Sequence, residues 1–349
     1  MTRQTWTAIV SAVCFVGLAL LLALLPVPFV SWGPGRTLDL LATDDDGVPA
    51  VQVEGLKTYP TTGKLRMTTV SVTRVDSSLS LPEALYSHVA PKHDVLAREV
   101  VYPPSKSADQ VRNEEVAMMV DSRSDAVVAA LRAGGQPVRQ MPLVESVGVA
   151  GPSYDRLQPG DLIERVDQTV VQRPADVERL VARHQVGDPV VLGVLRDGQR
   201  RDVTVTTASS NEDKKVPVLG ISTVNGYKYA PEVSFGVDEQ VVGPSAGLGF
   251  GLAIYDQITQ GDLLGGHDVA VTGQIMADGT VQPIGGVQEK VAAAERAGSE
   301  LFLLPRANCT DLTGMRSSLE LVPVETLSQA VKILTDWRAG VDPATLAHC

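Results

Sequence analysis

Positive charge is in short supply: 30 Lys and Arg stand against 41 Asp and Glu, for a net charge of −11. That balance argues against nucleic acid or an anionic membrane surface as the main partner. The pattern G-x-x-x-x-G-K-[ST] is absent, so no phosphate loop of that kind holds a nucleotide. H-E-x-x-H and paired C-x-x-C are absent too, which leaves no metal site of those types, and no cofactor is expected. Histidine is sparse, and only His267 and His348 occupy the last third of the chain. Cysteine is rarer still. Cys14 lies in an apolar run, whereas Cys309 and Cys349 could pair in an oxidising compartment or be two unrelated thiols.

What is present in quantity is apolar material, 44% of 349 residues, enough for about two domains with real cores. Residues 8–30 carry no charge and are dominated by Ala, Val, Leu and Phe. Such a run is long enough to cross a hydrocarbon core of roughly 30 Å as a helix. A removable signal peptide competes with that reading, but no A-x-A-like site follows the run; Pro26 and Pro28 do. A retained anchor is expected over 8–30, after a short tail of residues 1–7, with the larger C-terminal part beyond the membrane. Arg3 alone supplies positive charge before it.

The stretch Gly243-Pro244-Ser245-Ala246-Gly247 leads into the apolar, helix-like run Leu248–Tyr255, with strand-like residues 232–237 and 240–242 before it. A serine at a strand-to-helix corner is surrounded by the free N–H groups of the helix start, those of Ser245 and Ala246 included. Such donors suit the oxyanion formed when a nucleophile attacks a carbonyl. The plainer alternative is a serine that caps its helix. The spacing also satisfies G-x-S-x-G, yet that elbow needs an acid and a histidine further on. The two histidines that follow are poorly placed, and too little chain remains for the rest of such a sheet.

Only two lysines follow Ser245. Lys332 falls on the polar side of its helix with Ser328, Gln329 and Asp336. Lys290 shares a 3.6-residue stripe with Val287, Val291, Ala294 and Ala297, while Glu289, Glu295 and Arg296 lie off it. An ammonium in a core position is costly, so burial favours the neutral amine, which can take a proton from a serine hydroxyl. The alternative is a lysine that snorkels to the surface.

Ser245 and Lys290 in this order resemble the proteolytic domain of Lon peptidases, which use a Ser–Lys dyad. The resemblance runs through Gly243–Gly247, Val271-Thr272-Gly273-Gln274-Ile275, residues 278–290 and Leu303–Asn308. It implies Ser245 as nucleophile, Lys290 as general base and Thr272 as the threonine that hydrogen-bonds near the lysine. Val242 departs from the family, many ATP-dependent members carrying an acidic residue there. The resemblance further implies polypeptide substrates and assembly of a homo-oligomer as a hexameric ring.

Along the rest of the chain, Val51–Gly55 and Leu65–Val72 alternate as half-buried strands do, and 113–131 has the apolar face of a helix. The pattern changes over 134–208. There, Leu143–Val147, Leu157–Asp167, a Pro-started helix from Pro174 and Val190–Gly198 resemble a PDZ domain. That implies binding of extended peptides or C-termini beside the helix. Gly134, Gly135 and Val138 are the expected border of the carboxylate loop. Nearly the whole chain resembles bacterial membrane-anchored Lon-like proteases that carry a PDZ domain. The expected fold class is an α/β (α+β) Lon-type proteolytic domain with an inserted PDZ domain and an N-terminal transmembrane helix. Residues 33–133 and 211–340 form the protease, 134–208 the PDZ unit and 341–349 a tail. The resemblance implies an ATP-independent serine endopeptidase at the cell membrane, acting on unfolded or PDZ-delivered chains. The alternative is a peptide-binding scaffold whose Lon-like part is silent.

Overall fold

A computed structural model describes residues 2–44, 46–238 and 240–349 of the chain. Helix α1 (Arg3–Leu24) is capped by Thr2, whose hydroxyl accepts from the Thr5 N–H at 3.3 Å. It buries none of its side chains and contains an 18-residue window with a mean hydropathy of 2.6, so it is long and apolar enough to cross a membrane. The helix thus begins earlier and stops sooner than the expected span of 8–30, and residues 3–7 belong to it rather than to a tail. Pro26 cannot continue a helix and disfavours helical geometry at Leu25. Beyond it the chain is strand, and Val30 is fully buried.

The first half of the larger unit then follows: β1 (Phe29–Asp39), β2 (Val51–Glu54), β3 (Lys64–Val72), α2 (Leu81–Val89), β4 (Asp94–Ala97) and α3 (Ala108–Ala133). A capping box starts α3, Ser107 and Gln110 each serving the other's backbone N–H. Near its C-terminal end the consecutive residues Ala126–Leu131 are all buried. Gly134 closes it, and the chain leaves this unit after Gly135.

Residues Gln136–Ala230 form a compact unit of their own. Its strands are β5 (Arg139–Val147), β6 (Leu162–Val166), β7 (Pro189–Arg196), β8 (Gln199–Thr206) and β9 (Ile221–Lys228), with α4 (Pro174–Val181) between β6 and β7. They pair antiparallel in the order β8-β7-β6-β5-β9. Asp197 and Gly198, both at positive φ, make the two-residue turn between β7 and β8. Val144, Ile163, Val177, Leu180, Leu192 and Val205 lie in one core. Asp161, whose side chain is fully buried, is met by both Nε and Nη2 of Arg196 at 2.7 Å. The expected end of this unit at 208 falls short. Residues 211–215 are internal to it, because β9 pairs with β5 over its whole length and draws the boundary to Ala230.

The larger unit resumes with β10 (Glu232–Phe235), α5 (Gly247–Ile258), β11 (Asp268–Val271), α6 (Val287–Ala297), β12 (Leu301–Pro305), β13 (Glu320–Val324) and α7 (Leu327–Arg338). Strand β10 pairs with β2; residues 240–242, expected as strand, lie outside the strands. The main sheet runs β13-β12-β11-β3-β1-β4, parallel from β13 to β3 and antiparallel beyond. Successive residues of β11 face opposite sides. Ala270 packs with Val287, Val291 and Ala294 of α6, whereas Val271 meets α5 at Gly249. The two helices therefore sandwich the sheet. The expected tail 341–349 is tied down, with Cys349 disulfide-bonded to Cys309 and its N–H donating to the Leu321 carbonyl at 3.2 Å.

Candidate active site

Just beyond the end of β11, Thr272 and Gly273 meet a side chain of α6 and the backbone of the turn before α5. Lys290 is 3% exposed on α6, and its Nζ donates to Thr272 Oγ1 at 3.2 Å. Burial pushes this amine down from 10.5 to about 7, only partly countered by Glu289 beside it. Thr272 Oγ1 donates in turn to the Ser245 carbonyl at 3.3 Å, and the Gly273 N–H donates to that same oxygen at 2.9 Å. One residue beyond the strand thus links α6 to the start of α5. Gly273 has a φ of 154°, and a Cβ there would come within 2.9 Å of Val281 and 3.3 Å of Leu248. Only glycine lets the chain pass between them.

Ser245 itself is half-buried in the short 3₁₀ turn Pro244–Ala246 that leads into α5. Helix α3 holds this turn from the side. The Ser122 hydroxyl donates to the Pro244 carbonyl at 2.8 Å, and the Gly243 N–H donates to the Glu115 carbonyl at 3.3 Å. At the start of α6, Gly286 adopts a left-handed φ of 68° and a Cβ would meet Val70 at 2.7 Å. This close approach seats α6 on the sheet and fixes the depth of Lys290. The lysine amine, the threonine hydroxyl and the backbone carbonyl of the serine thus form one hydrogen-bonded chain. The histidines are committed elsewhere. His267 stacks on Trp337 at 4.0 Å and meets Glu300 at 2.9 Å, and His348 lies 3.4 Å from Glu320. Lys332 is exposed and paired with Asp336.

Glu289 overturns its expected place off the buried stripe. It is 2% exposed, and burial raises its carboxyl above the ordinary range. The helical wheel missed it because α6 packs against more than one neighbour, the strands β1 and β3 and the segment Arg306–Leu312.

The expected carboxylate-loop border is also corrected. Gly134 and Gly135 terminate α3 in the larger unit, and Val138 lines a shallower hollow with Arg139 and Lys228. A cavity of the inserted unit, about 920 Å³, lies between Val177, Glu178 and Val181 of α4 and the stretch Leu219-Gly220-Ile221. Strand β9 is the edge of its sheet on that side. The sequence reading did not single out these lining residues, which come late in the unit. The signal was Leu219-Gly220-Ile221, a glycine between apolar residues at the start of a strand.

The two parts of the chain, an α/β layer with a buried lysine joined through threonine to the carbonyl of a helix-start serine and an antiparallel unit with an edge groove, each resemble a known domain. Residues 236–336 match the Lon protease (S16) C-terminal proteolytic domain, and residues 119–207 match the PDZ domain. Among curated proteins, the chain is 30% identical over 230 residues to Lon protease 1 of Sorangium cellulosum, covering 65% of this chain and 26% of that protein. It is 42% identical over 94 residues to Lon protease 1 of Myxococcus xanthus, covering 26% and 11% respectively. The chain thus spans about a quarter or less of the length of these relatives. Among solved structures, the PDZ domain of the SdrC-like protein from Listeria monocytogenes aligns with 24% of this chain and 87% of itself, at 24% identity and a TM-score of 0.23.

Proposed function

We propose that this protein is an ATP-independent serine endopeptidase anchored by α1, with its catalytic part outside the cytoplasm. Ser245 is the nucleophile and Lys290 the general base. A neutral Lys290 takes the hydroxyl proton as Ser245 Oγ attacks the substrate carbonyl, then returns it to the leaving amine. The N–H groups of Ser245 and Ala246 receive the oxyanion, and Thr272 orients the amine. The observation that carries this reading is the burial of Lys290 with its Nζ on Thr272, which also holds the Ser245 carbonyl. The Cys309–Cys349 disulfide supports an oxidising compartment.

The inserted unit supplies the delivery step. An extended peptide or C-terminus would add as a strand along β9, its side chains facing α4, with the loop before Ile221 receiving the terminal carboxylate. The test is cleavage of an unfolded protein with and without ATP, by wild type, Ser245→Ala, Lys290→Ala and His267→Ala. Activity without nucleotide, lost in the first two variants and kept in the third, is expected. Activity that follows His267 refutes the dyad. Inertness of all four proteins, with peptide binding intact, makes the chain a binding scaffold. N-terminal sequencing of membrane-extracted protein tests the anchor, and a mature chain beginning beyond Leu24 refutes it.

A further inference from the structure

Helix α2 buries its small residues and exposes its large apolar ones. Ala84 and Ser87 face the interior, where the Ser87 hydroxyl accepts from the Ser31 hydroxyl of β1 at 2.8 Å. Pro82, Leu85, Tyr86 and Val89 have the i, i+3, i+4, i+7 spacing of one helical face, and all four are exposed. Leu85, Tyr86 and Val89 are 58%, 68% and 76% exposed. A surface helix ordinarily does the reverse, so this stripe is built to be covered.

Its place in the fold says by what. The 22 residues of α1 make a rod of roughly 33 Å, which a hydrocarbon core of roughly 30 Å uses up. The membrane boundary therefore falls near Leu25 and Pro26. The chain leaving that boundary is tied straight to α2. The Leu81 N–H donates to the Leu25 carbonyl at 3.3 Å, and Pro26 and Val27 pair with Ser80 and Leu79. Further apolar side chains are exposed at the same exit. The Arg98 N–H donates to the Pro28 carbonyl at 3.0 Å, with Phe29 and Val100 exposed beside that bond.

We propose that α2 lies in the membrane interface beside the anchor, its face of Pro82, Leu85, Tyr86 and Val89 in contact with lipid. This inference rests on α1 as a retained membrane anchor. An interfacial helix sinks its apolar face about 5–10 Å into the boundary between headgroups and acyl chains. Tyrosine suits that depth, with an apolar ring and a hydroxyl that reaches water. Helix α2 has no Lys or Arg, and the Glu83 carboxylate is occupied at its own N-terminus, accepting from the Ser80 N–H at 2.9 Å. The contact is thus with the apolar part of the bilayer and not with anionic headgroups, in line with the net charge of −11. On α1 alone the globular part could swing as on a stalk. A second lipid contact, passed through Ser87 to β1 and its sheet, holds the proteolytic unit at a fixed tilt, so that Ser245 works on chains close to the exported face of the membrane.

The experiment uses the full-length chain in phosphatidylcholine vesicles, with a fluorophore on a single cysteine. Cys309 and Cys349 are disulfide-bonded, which leaves Cys14 to label. Three proteins are compared: the native chain labelled at Cys14, and Tyr86→Cys and Val89→Cys in a Cys14→Ser background. Quenching is read from lipids carrying a nitroxide near the top or at the end of the acyl chain, and from aqueous iodide. The labels at 86 and 89 should lose most of their emission to the nitroxide near the top of the chain and little to iodide. Loss to iodide instead puts the stripe in water and overturns the proposal. Shielding from iodide without quenching by either lipid overturns it too, because a second copy or another protein then covers the stripe. The label at Cys14 separates the two levels, since it should lose emission to the nitroxide at the end of the chain. If it does not, α1 does not span and the anchor reading fails; if it does while 86 and 89 report water or protein, only this inference fails.

Discussion

Lys290→Met should make the catalytic unit more stable near neutral pH while abolishing activity. The lysine pKa drops from 10.5 to about 7 on folding. At about 1.4 kcal/mol per unit, the folded state is charged roughly 5 kcal/mol for taking up this amine when the unfolded chain carries it as ammonium. The sign follows from proton counting. Between about 7 and 10.5 the unfolded chain binds one more proton at this site than the folded one, so stability rises with pH across that window. Below about 7 both states bind it, and the slope from this group vanishes. Methionine of similar length removes the whole dependence and forfeits the hydrogen bond to Thr272, about 1 kcal/mol. The variant should therefore gain about 4 kcal/mol at pH 6.5 and lose that advantage by pH 10.5. Urea titration in detergent, followed by tryptophan fluorescence, reports the right unit, because Trp6, Trp32 and Trp337 all lie outside residues 136–230. A variant less stable than wild type at pH 6.5, or a difference that ignores pH, would refute the claim that Lys290 is buried neutral.

Three further expectations need less argument. The kcat/KM of the wild type should rise with pH through about 7, since the base works only when deprotonated; a profile already flat at pH 5.5 contradicts this. Replacing both Cys309 and Cys349 by serine opens a link between residues 40 positions apart and should cost about 4 kcal/mol by chain entropy, read from the same urea titration. Ile221→Lys, at the mouth of the groove beside α4, should weaken binding of C-terminal peptides at least about tenfold by calorimetry while leaving the circular dichroism spectrum unchanged; unchanged affinity would place the peptide elsewhere.

The parts legible in the sequence were those fixed by local pattern. The apolar stripe through Val287, Val291 and Ala294 put Lys290 inward, and the glycines around Ser245 marked a corner. Strands such as Lys64–Val72 showed their alternation. What could not be read depended on partners distant in the chain. Glu289 is buried on a helix that packs against β1 and β3, more than two hundred residues earlier; periodicity knows one face of a helix, not two. The groove was misplaced for a related reason. Strand β9 follows β8 in the sequence but lies across the sheet, beside β5, so the piece that completes the inserted unit was read as the start of the protease. The helix at the N-terminus was misjudged at both ends, since composition alone cannot tell apolar helix from the buried strand that contains Val30.

Thr272 carries the sharpest test of how a lysine can replace histidine as base. A neutral amine has two N–H bonds and one lone pair, and rotation about the last carbon bond leaves the lone pair's direction free. Donation to Thr272 Oγ1 fixes one N–H. The threonine hydroxyl has a single proton, which goes to the Ser245 carbonyl, so its oxygen must face the lysine as acceptor. The lone pair is thereby turned away from Thr272 and left for a hydroxyl. Thr272→Val keeps the shape but offers no acceptor, while the Gly273 N–H still holds the Ser245 carbonyl, so the nucleophile's turn should remain in place. The loss should fall on kcat, on the order of 10- to 100-fold, with KM little changed. Thr272→Ser should restore most of it. If valine raises KM and spares kcat, the threonine shapes the substrate site and the amine is oriented by some other group.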